Sequence, residues 1–212
     1  MIEIQNLSYL NILHNINIEI DNNLTILGEN GAGKSTLARL ICGLIDTNNI
    51  KTDKKDINYI PPILNIYDEN LTLIEYLESA FYTKNINHEA IEKVLKIVGL
   101  QNKKIIYLSS GQKQLAQIAI ALLQDKKVTI FDEPTANLDP RNIKKVFDIL
   151  KNNFQYKLII THDLNFAYNL GYDILFLEKG EIAFFGSCEK FFKSNFYADV
   201  LMIDKNGVMI KL

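Results

Sequence analysis

The sequence has little of what would mark a metal-binding, redox or membrane-spanning protein. Its 212 residues include only two cysteines, Cys42 and Cys188, which lie far apart with no metal-ligand or redox spacing. This usage fits a reduced, cytosolic setting, and we place Cys42 in a buried helix and Cys188 in a polar turn. No apolar run approaches the roughly 20 residues needed to cross a bilayer, and Met1–Ile4 lacks the pattern of a signal peptide. Any role at a membrane is therefore expected to depend on a partner.

An excess of charge of either sign is also missing. The chain has 23 Lys and Arg residues against 25 Asp and Glu residues, a formal net charge of −2. This balance offers no bulk attraction to nucleic acid or anionic lipid, so a nucleic-acid role would need a local patch of charge. We expect no nucleic-acid partner. With 48% apolar residues, the chain is long enough for one large α/β domain or two small lobes that share a core.

What the sequence does contain is a predicted strand, glycine-rich turn and helix around Gly28–Thr36. The spacing Gly-x-x-x-x-Gly-Lys-Ser is the P-loop pattern, in which backbone N–H groups surround a phosphate at the positive end of a helix. Lys34 would reach the β- and γ-phosphates, and Ser35 would ligate Mg²⁺. A glycine-rich surface turn is the simpler alternative, but the flanking strand and helix argue against it. The predicted nucleotide contacts in this stretch are Gly28, Asn30, Gly31, Ala32, Gly33, Lys34, Ser35 and Thr36.

The segments before the P-loop predict a small β layer, and those after it predict a turn region and a short strand. Ile2–Ile4 and Ile12–Ile20 alternate apolar and polar residues, which is typical of antiparallel strands with one buried face. Tyr9 lies at a break between them. From the pattern alone, it is as plausible as an ordinary half-buried strand aromatic as it is as a functional residue. Asp46–Asp56 is polar and predicts an exposed turn region. Asn58–Ile60 predicts a short strand that ends at two prolines, because proline cannot donate to a ladder.

Apolar residues at helical spacing predict a helical region next. One helix is expected at Leu71–Leu77, and a second, with its apolar residues at positions 91, 94, 95 and 98, ends at Gly99. The same spacing predicts a third, amphipathic helix over Ser110–Leu123.

The second half of the chain alternates short apolar strands with helices. Val128–Phe131 and Leu158–Ile160 are predicted buried strands of a parallel sheet. Asp139 and Pro140 predict the N-cap and first residue of a helix. The remaining predictions are a helix that ends at Leu170–Gly171, strands at Ile174–Leu177 and Ile182–Phe185, and a closing hairpin at Val200–Lys211.

Three side chains with catalytic potential follow the buried strands. Asp132 is the expected Mg²⁺ partner, and Glu133 can polarise a water for in-line attack on a γ-phosphate. His162, after the neighbouring strand, could contact that phosphate and hold the water. Each alone has a simpler explanation, since acidic pairs often cap helices and a single histidine is usually structural. Their combination with a P-loop favours phosphoryl transfer.

In this order, the motifs resemble those of nucleotide-binding subunits of ATP-binding cassette (ABC) transporters over essentially the whole chain. Leu108–Gln112 resembles the LSGGQ signature, with serine in place of its first glycine. Phe131–Pro134 resembles the magnesium strand with its catalytic glutamate. Ala136–Asp139 is similar to the loop that faces the partner cassette, and Thr161–Asp163 to the switch histidine. By position, Tyr9 is similar to the aromatic residue that stacks on adenine.

The resemblance implies an α/β fold with a P-loop NTPase core and a mostly parallel sheet, an N-terminal antiparallel β layer and a helical signature subdomain. Residues 1–212 would form a single ABC ATPase domain. Its RecA-like core would comprise residues 1–62 and 125–212, and its helical subdomain about 63–124.

The resemblance also implies ATP and Mg²⁺ as cofactors and a mechanism that one cassette cannot perform. Two cassettes would meet head to tail, with ATP between the P-loop of one and the signature helix of the other. ATP hydrolysis would then drive a transmembrane permease from the cytoplasmic face of the membrane. The implied roles are catalysis by Glu133 and His162, nucleotide contacts by Ser109, Gly111, Gln112 and Asp139, and metal binding by Ser35 and Asp132.

One position departs from the family pattern. The family places a glutamine just after the strand that ends near Pro61, where it touches Mg²⁺ or the attacking water. Pro62, or Ile63 if the alignment shifts by one, stands here, and no glutamine occurs from Asp56 to Gly99. Because proline has no amide side chain, we expect Mg²⁺ coordination by this loop and its coupling to the membrane partner to be altered. Since Ser35, Asp132 and Glu133 are all present, we expect ATPase activity to survive.

Less specific features bear on the transported substrate. The short region Lys34–Pro62 and the closing segments Phe196–Val200 and Asn206–Val208 resemble bacterial importers of metal ions or metal chelates. Energy-coupling vitamin importers and export cassettes are alternatives. Two further alternatives are a soluble cassette ATPase acting on ribosomes or DNA, and a nucleotide-regulated binding module without catalysis.

Overall fold

The computed structural model describes residues 1–62, 68–81 and 86–194, together with the backbone of 201–204 and 207–210. Eleven strands and seven α-helices lie within these ranges. The strands are β1 (Ile2–Tyr9), β2 (Leu13–Ile20), β3 (Leu24–Gly28), β4 (Ile50–Lys51), β5 (Ile57–Ile60), β6 (Val128–Asp132), β7 (Tyr156–Ile160), β8 (Asp173–Glu178), β9 (Glu181–Gly186), β10 (Leu201–Asp204) and β11 (Gly207–Ile210). The helices are α1 (Lys34–Ile41), α2 (Leu73–Ser79), α3 (His88–Val98), α4 (Ser110–Gln124), α5 (Pro140–Asn152), α6 (Leu164–Leu170) and α7 (Cys188–Lys193).

A six-stranded sheet positions the residues that are predicted to form the nucleotide site. Its order is β5-β6-β7-β3-β8-β9, in which the first five strands are parallel and β9 is antiparallel to β8. Every residue of β3 and β6 is buried, as expected where both faces of a parallel sheet are covered. Because β7 lies between β6 and β3, the segments that follow these three strands meet at one edge of the sheet.

The predicted antiparallel layer is confirmed, with one addition. β1 pairs with β2, and β4 joins the other side of β1 to complete a three-stranded sheet. The prediction of an exposed turn region over Asp46–Asp56 was therefore wrong at Ile50–Lys51. Ile50 is only 7% exposed and packs in the core, and its burial anchors this short strand within an otherwise polar segment.

Two apolar cores lie on opposite faces of the large sheet. One contains α1 and the three-stranded sheet, and the other contains residues of α2 to α5. Alternation along β6 supplies both, since Ile130 belongs to the first core and Phe131 to the second. This arrangement confirms the predicted α/β fold, with its mostly parallel sheet, antiparallel layer and helical region.

The predicted helices are confirmed with shifts of a few residues at their ends, but one helix was missed. Cys188, predicted in a polar turn, is the buried first residue of α7. Ser187 caps this helix by accepting a hydrogen bond from the Lys190 N–H at 3.3 Å, and Phe191 packs into a third apolar cluster. Cys42 lies just past the last residue of α1 and is half-buried.

The two strands of the predicted closing hairpin are confirmed. β10 and β11 pair antiparallel, with Leu201 opposite Ile210. Asn206 of its predicted turn, the segment Phe196–Val200 and Ile63 lie outside the described residues.

Candidate nucleotide-binding site

The turn between β3 and α1 has the backbone that the P-loop pattern requires. Gly28, Gly31 and Gly33 have φ values of 149°, 85° and 98°, which side chains on L-residues disfavour. A Cβ on Gly28 would lie 2.3 Å from the carbonyl oxygen of Leu177 in the neighbouring β8. No side chain caps the amino end of α1 in the described chain, so its first N–H groups are available to an anion.

The Lys34 ammonium rests on carbonyl oxygens of the loop. Its Nζ donates to the oxygen of Gly28 at 2.7 Å and to that of Glu29 at 2.9 Å, and the side chain is buried. Burial lowers the pKa of Lys34, while the charges of Glu133 and Asp132 oppose that shift. The ammonium would have to exchange these carbonyls for phosphate oxygens when a nucleotide binds.

Asp132 is almost completely buried at the end of β6, with its two oxygens in different states. Oδ2 accepts a hydrogen bond from the Tyr59 hydroxyl at 2.7 Å. Oδ1 is buried and has no hydrogen-bond partner among the described residues. Burial, and then this bond to Asp132, raises the pKa of Tyr59, so the phenol stays protonated and donates. Because an unpartnered buried carboxylate oxygen is costly, the site is suited to a cation, and Mg²⁺ fits it.

Glu133 follows Asp132 in an unusual backbone conformation. Its φ is 52°, and its N–H donates to the Ile160 carbonyl at 2.9 Å, which holds the turn against β7. Oε1 lies 2.9 Å from Nδ1 of His162, whereas Oε2 is buried without a described partner. Strained backbone of this kind occurs at functional sites. The contact between the Glu133 carboxylate and the His162 ring brings the two predicted catalytic side chains together.

Lys34, Asp132 and Glu133 line a cleft of about 350 Å³. The predicted residues that line it are Asn30, Gly31, Gly33, Lys34, Ser35, Thr36, Asp132 and Glu133. Ile12 and Pro62 also line it, so the departure from the family glutamine lies at the cleft itself. The described lining does not include Tyr9, which ends β1 half-buried opposite Leu13, or Ala32, which is buried in the first core. It also does not include Gly28, the last residue of β3, or His162, which contacts Glu133 from the segment after β7.

The signature residues form a separate group at the start of α4. The Ser109 Oγ accepts from the Gln112 N–H at 3.3 Å, and the Gln112 Oε1 accepts from the Ser109 N–H at 3.1 Å and from the Lys103 Nζ at 3.0 Å. A Cβ on Gly111 would lie 2.7 Å from Nδ2 of Asn142, so α4 and α5 touch here.

Asp139 caps α5 beside this contact. Its carboxylate accepts from the Asn142 N–H at 3.0 Å and from the Asn142 Nδ2 at 2.7 Å. The first of these bonds contributes most to lowering the pKa of Asp139. The four predicted contacts Ser109, Gly111, Gln112 and Asp139 are not part of the described cleft lining, so one chain does not unite the two halves of the predicted site.

The sequence model of the ABC transporter family matches residues 13–136. The chain belongs to the ABC transporter family. Membership makes it an ATP-binding subunit that hydrolyses ATP for transport. The described parts of this ABC cassette include no helix with the length and apolarity needed to cross a membrane.

Individual relatives agree with this membership. The chain is 36% identical over 214 residues to the energy-coupling factor transporter ATP-binding protein EcfA of Aster yellows witches'-broom phytoplasma, covering 86% of this chain and 77% of the relative. It is 36% identical over 168 residues to the zinc import ATP-binding protein ZnuC of Buchnera aphidicola subsp. Schizaphis graminum, covering 74% and 70%. Among solved structures, the dimeric bacterial ABC transporter cassette MJ0796 superposes with a TM-score of 0.77 at 25% identity, covering 89% of this cassette and 99% of MJ0796.

Sequence reasoning missed two residues of this ABC cassette's site. Ile12 lines the cleft, and its position at the break before β2 was the available signal. Tyr59 contacts Asp132 from β5, 73 residues away in the sequence. That contact becomes predictable only when β5 and β6 are known to be neighbours, which no local pattern indicates.

Proposed function

We propose that this chain is a cassette of an ABC importer that pairs head to tail with a second cassette and encloses ATP between a P-loop and a signature helix. The observation that carries the proposal is the separation of two complementary half-sites in one chain. The P-loop cleft has buried oxygens that have no partner among the described residues, whereas the signature group is not part of the described lining of that cleft. The dimeric MJ0796 cassette supports the pairing. The second cassette would be another copy or a paralogue.

In this proposal, the P-loop half binds the phosphates. Its glycine turn and the uncapped end of α1 present N–H groups, and Lys34 moves from the carbonyls of Gly28 and Glu29 to phosphate oxygens. Ser35 and Asp132 would hold Mg²⁺ together with the nucleotide. When bound, the metal ion neutralises charge on the phosphates.

Glu133 would then act as the general base. Its Oε2 is buried beside the cleft with no hydrogen-bond partner in the described part of the chain, and it would accept the proton of a water whose oxygen attacks the γ-phosphorus. The bond to the bridging oxygen breaks, which releases ADP and phosphate. His162, at 2.9 Å from Oε1, would fix the carboxylate during this step.

The signature half would complete the site of the partner. Ser109 is exposed, and because its Oγ accepts from the Gln112 N–H, its own O–H remains available to donate to a γ-phosphate across the interface. The amino end of α4, with Gly111, adds the favourable helix dipole. Asp139 would lie at the same interface.

We further propose that the cassette dimer binds a transmembrane permease on the cytoplasmic face of the membrane. Pro62 lines the cleft at the position where the family has a glutamine, which supports unusual coupling of ATP occupancy to the permease. We expect ATP hydrolysis to persist, because Ser35, Asp132 and Glu133 are all present at the cleft. A native dimer with no ATP hydrolysis, with or without its permease, would contradict this.

For the cargo, we propose a metal ion or metal chelate, with support from the similarity to the zinc importer ZnuC. A second candidate is the cargo of an energy-coupling factor transporter, which the similarity to EcfA favours. Purification of the intact complex from membranes, followed by uptake of radioactive metal into proteoliposomes, separates them. ATP-dependent metal uptake supports the first candidate, and co-purification of an energy-coupling factor permease without metal uptake supports the second.

The dimer itself is tested by Glu133→Gln, which removes the base and keeps the side-chain volume. We expect this variant to form a stable dimer with ATP and Mg²⁺ in size-exclusion chromatography, while hydrolysis falls by roughly 10²- to 10⁴-fold. Exposed Glu178 at the end of β8 offers the control Glu178→Gln, which should hydrolyse ATP normally. A monomer at every ATP concentration, or unchanged hydrolysis in Glu133→Gln, would refute the proposed mechanism.

A further inference from the structure

The carboxylate proposed to bind magnesium is held by a hydroxyl group from the adjacent strand. Tyr59 of β5 donates to Oδ2 of Asp132 at 2.7 Å. The parallel register pairs Tyr59 with Ile130 and Ile60 with Phe131, so alternation puts Tyr59 and Asp132 on the same face of the sheet. The contact thus follows from the sheet itself and does not depend on a loop.

We propose that Tyr59 is a positioning residue for the metal site, an inference that rests on the proposed function of Asp132. A carboxylate that is fixed at one oxygen has lost most of its rotational freedom. With Oδ2 bound to Tyr59, the buried Oδ1, which has no partner within the described ranges, is the oxygen that remains for the metal.

This orientation matters more here because another ligand is missing from the cleft. Pro62 lines the cleft at the usual glutamine position and offers no side-chain oxygen. Ser35 and Asp132 therefore carry more of the metal affinity that the protein supplies, and a misplaced Asp132 cannot be compensated from that side.

The Lys34 ammonium would compete with the metal for an Asp132 carboxylate that had lost its hydrogen bond to Tyr59. Lys34 lines the same cleft and interacts electrostatically with Asp132. Without the Tyr59 hydroxyl, the carboxylate could turn towards the Lys34 ammonium and away from the metal. The hydroxyl opposes this rearrangement, because its hydrogen bond to Oδ2 would have to break and Tyr59 is held in place by the strand.

Tyr59→Phe removes only the hydroxyl and tests the inference on the full chain. Mn²⁺ binding is measured by electron paramagnetic resonance in saturating ADP, which avoids turnover, and ADP affinity is measured separately in EDTA. We expect about tenfold weaker Mn²⁺ binding, as is usual when the partner of a metal ligand is lost, and unchanged metal-free ADP affinity. The control Tyr172→Phe alters another half-buried tyrosine, which packs near Lys151 and Lys157, and should change neither quantity.

Unchanged Mn²⁺ binding in Tyr59→Phe, or an equal loss of metal-free ADP affinity, would overturn the positioning role. A native chain that binds no nucleotide would instead overturn the proposed function and this inference with it. Should Tyr59→Phe not fold, Tyr59→Met replaces it, since methionine fills much of the same space and also lacks the hydroxyl that Asp132 accepts from. A loss of Mn²⁺ affinity without a loss of metal-free ADP affinity supports the inference, and no loss contradicts it.

Discussion

The two halves of the proposed ATP site differ in how their polar groups are satisfied. At the P-loop half, Oδ1 of Asp132 and Oε2 of Glu133 are buried without described partners. At the signature half, the acceptor oxygens are satisfied: the Ser109 Oγ and the Gln112 Oε1 each accept from the other residue's backbone N–H, and the Asp139 carboxylate accepts from Asn142. We infer that the first half is built to bind ligand by itself, whereas the second adds contacts only when a nucleotide is already presented to it.

This difference means that nucleotide affinity and dimer formation should be separable. Variants in the P-loop half are expected to weaken nucleotide binding by the monomer. Variants in the signature half should leave that affinity intact and weaken only the ATP-bound dimer.

The largest effect is expected for Lys34→Met, which keeps the apolar stem and removes the charge. Loss of charge-assisted hydrogen bonds to phosphate, each about 1.5–3 kcal/mol, should weaken ATP binding roughly 10- to 100-fold in calorimetry. Lys93→Ala is the control, since this lysine is exposed on α3 and pairs with Glu89 at 3.3 Å. Normal ATP affinity in Lys34→Met would remove the distinction between the two halves.

A medium effect is expected for Ser109→Ala. Loss of the cap should lower the free energy of unfolding by about 1 kcal/mol, and in a Glu133→Gln background it should weaken the ATP-bound dimer. Monomer ATP affinity should not change. Ser187→Ala is a matched control, because Ser187 caps α7 with the same 3.3 Å hydrogen bond, and it should cost similar stability without affecting the dimer. Weaker ATP binding by the Ser109→Ala monomer would show that the halves are not independent.

The smallest effect concerns the pH dependence of the α5 cap. Hydrogen bonds hold the pKa of Asp139 below its ordinary value in the folded protein, so the carboxylate stabilises the fold above the ordinary aspartate range. This contribution is lost as the pH falls through the folded-state pKa. The difference in Tm between the native chain and Asp139→Asn should therefore shrink between about pH 7 and about pH 3. A difference independent of pH would show that the charge of Asp139 does not stabilise α5.

Local sequence signals explain why most residues of the two half-sites could be predicted. The P-loop glycines, the Asp139–Pro140 helix start and the Ser109 motif are each encoded within a few residues. The edge of the sheet where Asp132 and His162 meet was predictable as well, because buried parallel strands end together. Both half-sites can therefore be located in the sequence. Only the hydrogen bonds in the structure show that, in the described part of the chain, the acceptor oxygens of one half have partners and buried oxygens of the other do not.

Pairings distant in sequence account for what was missed. β4 forms because Ile50 finds a place beside β1, and Tyr59 reaches Asp132 because β5 happens to be the neighbour of β6. α7 was missed because its apolar residues are few and its stability depends on packing into the third cluster. Such contacts arise from strand order and tertiary packing, which residue patterns do not specify.

The uncapped amino end of α1 has a thermodynamic consequence. Within the described chain, the other six α-helices each have a side-chain cap, provided by Thr72, Asn87, Ser109, Asp139, Asp163 and Ser187. In α1 that place is taken by Gly33, so a bound phosphate would serve as the missing cap. Nucleotide binding would then contribute to the free energy that stabilises α1, and the release of product after each turnover would return this helix to its least stable state.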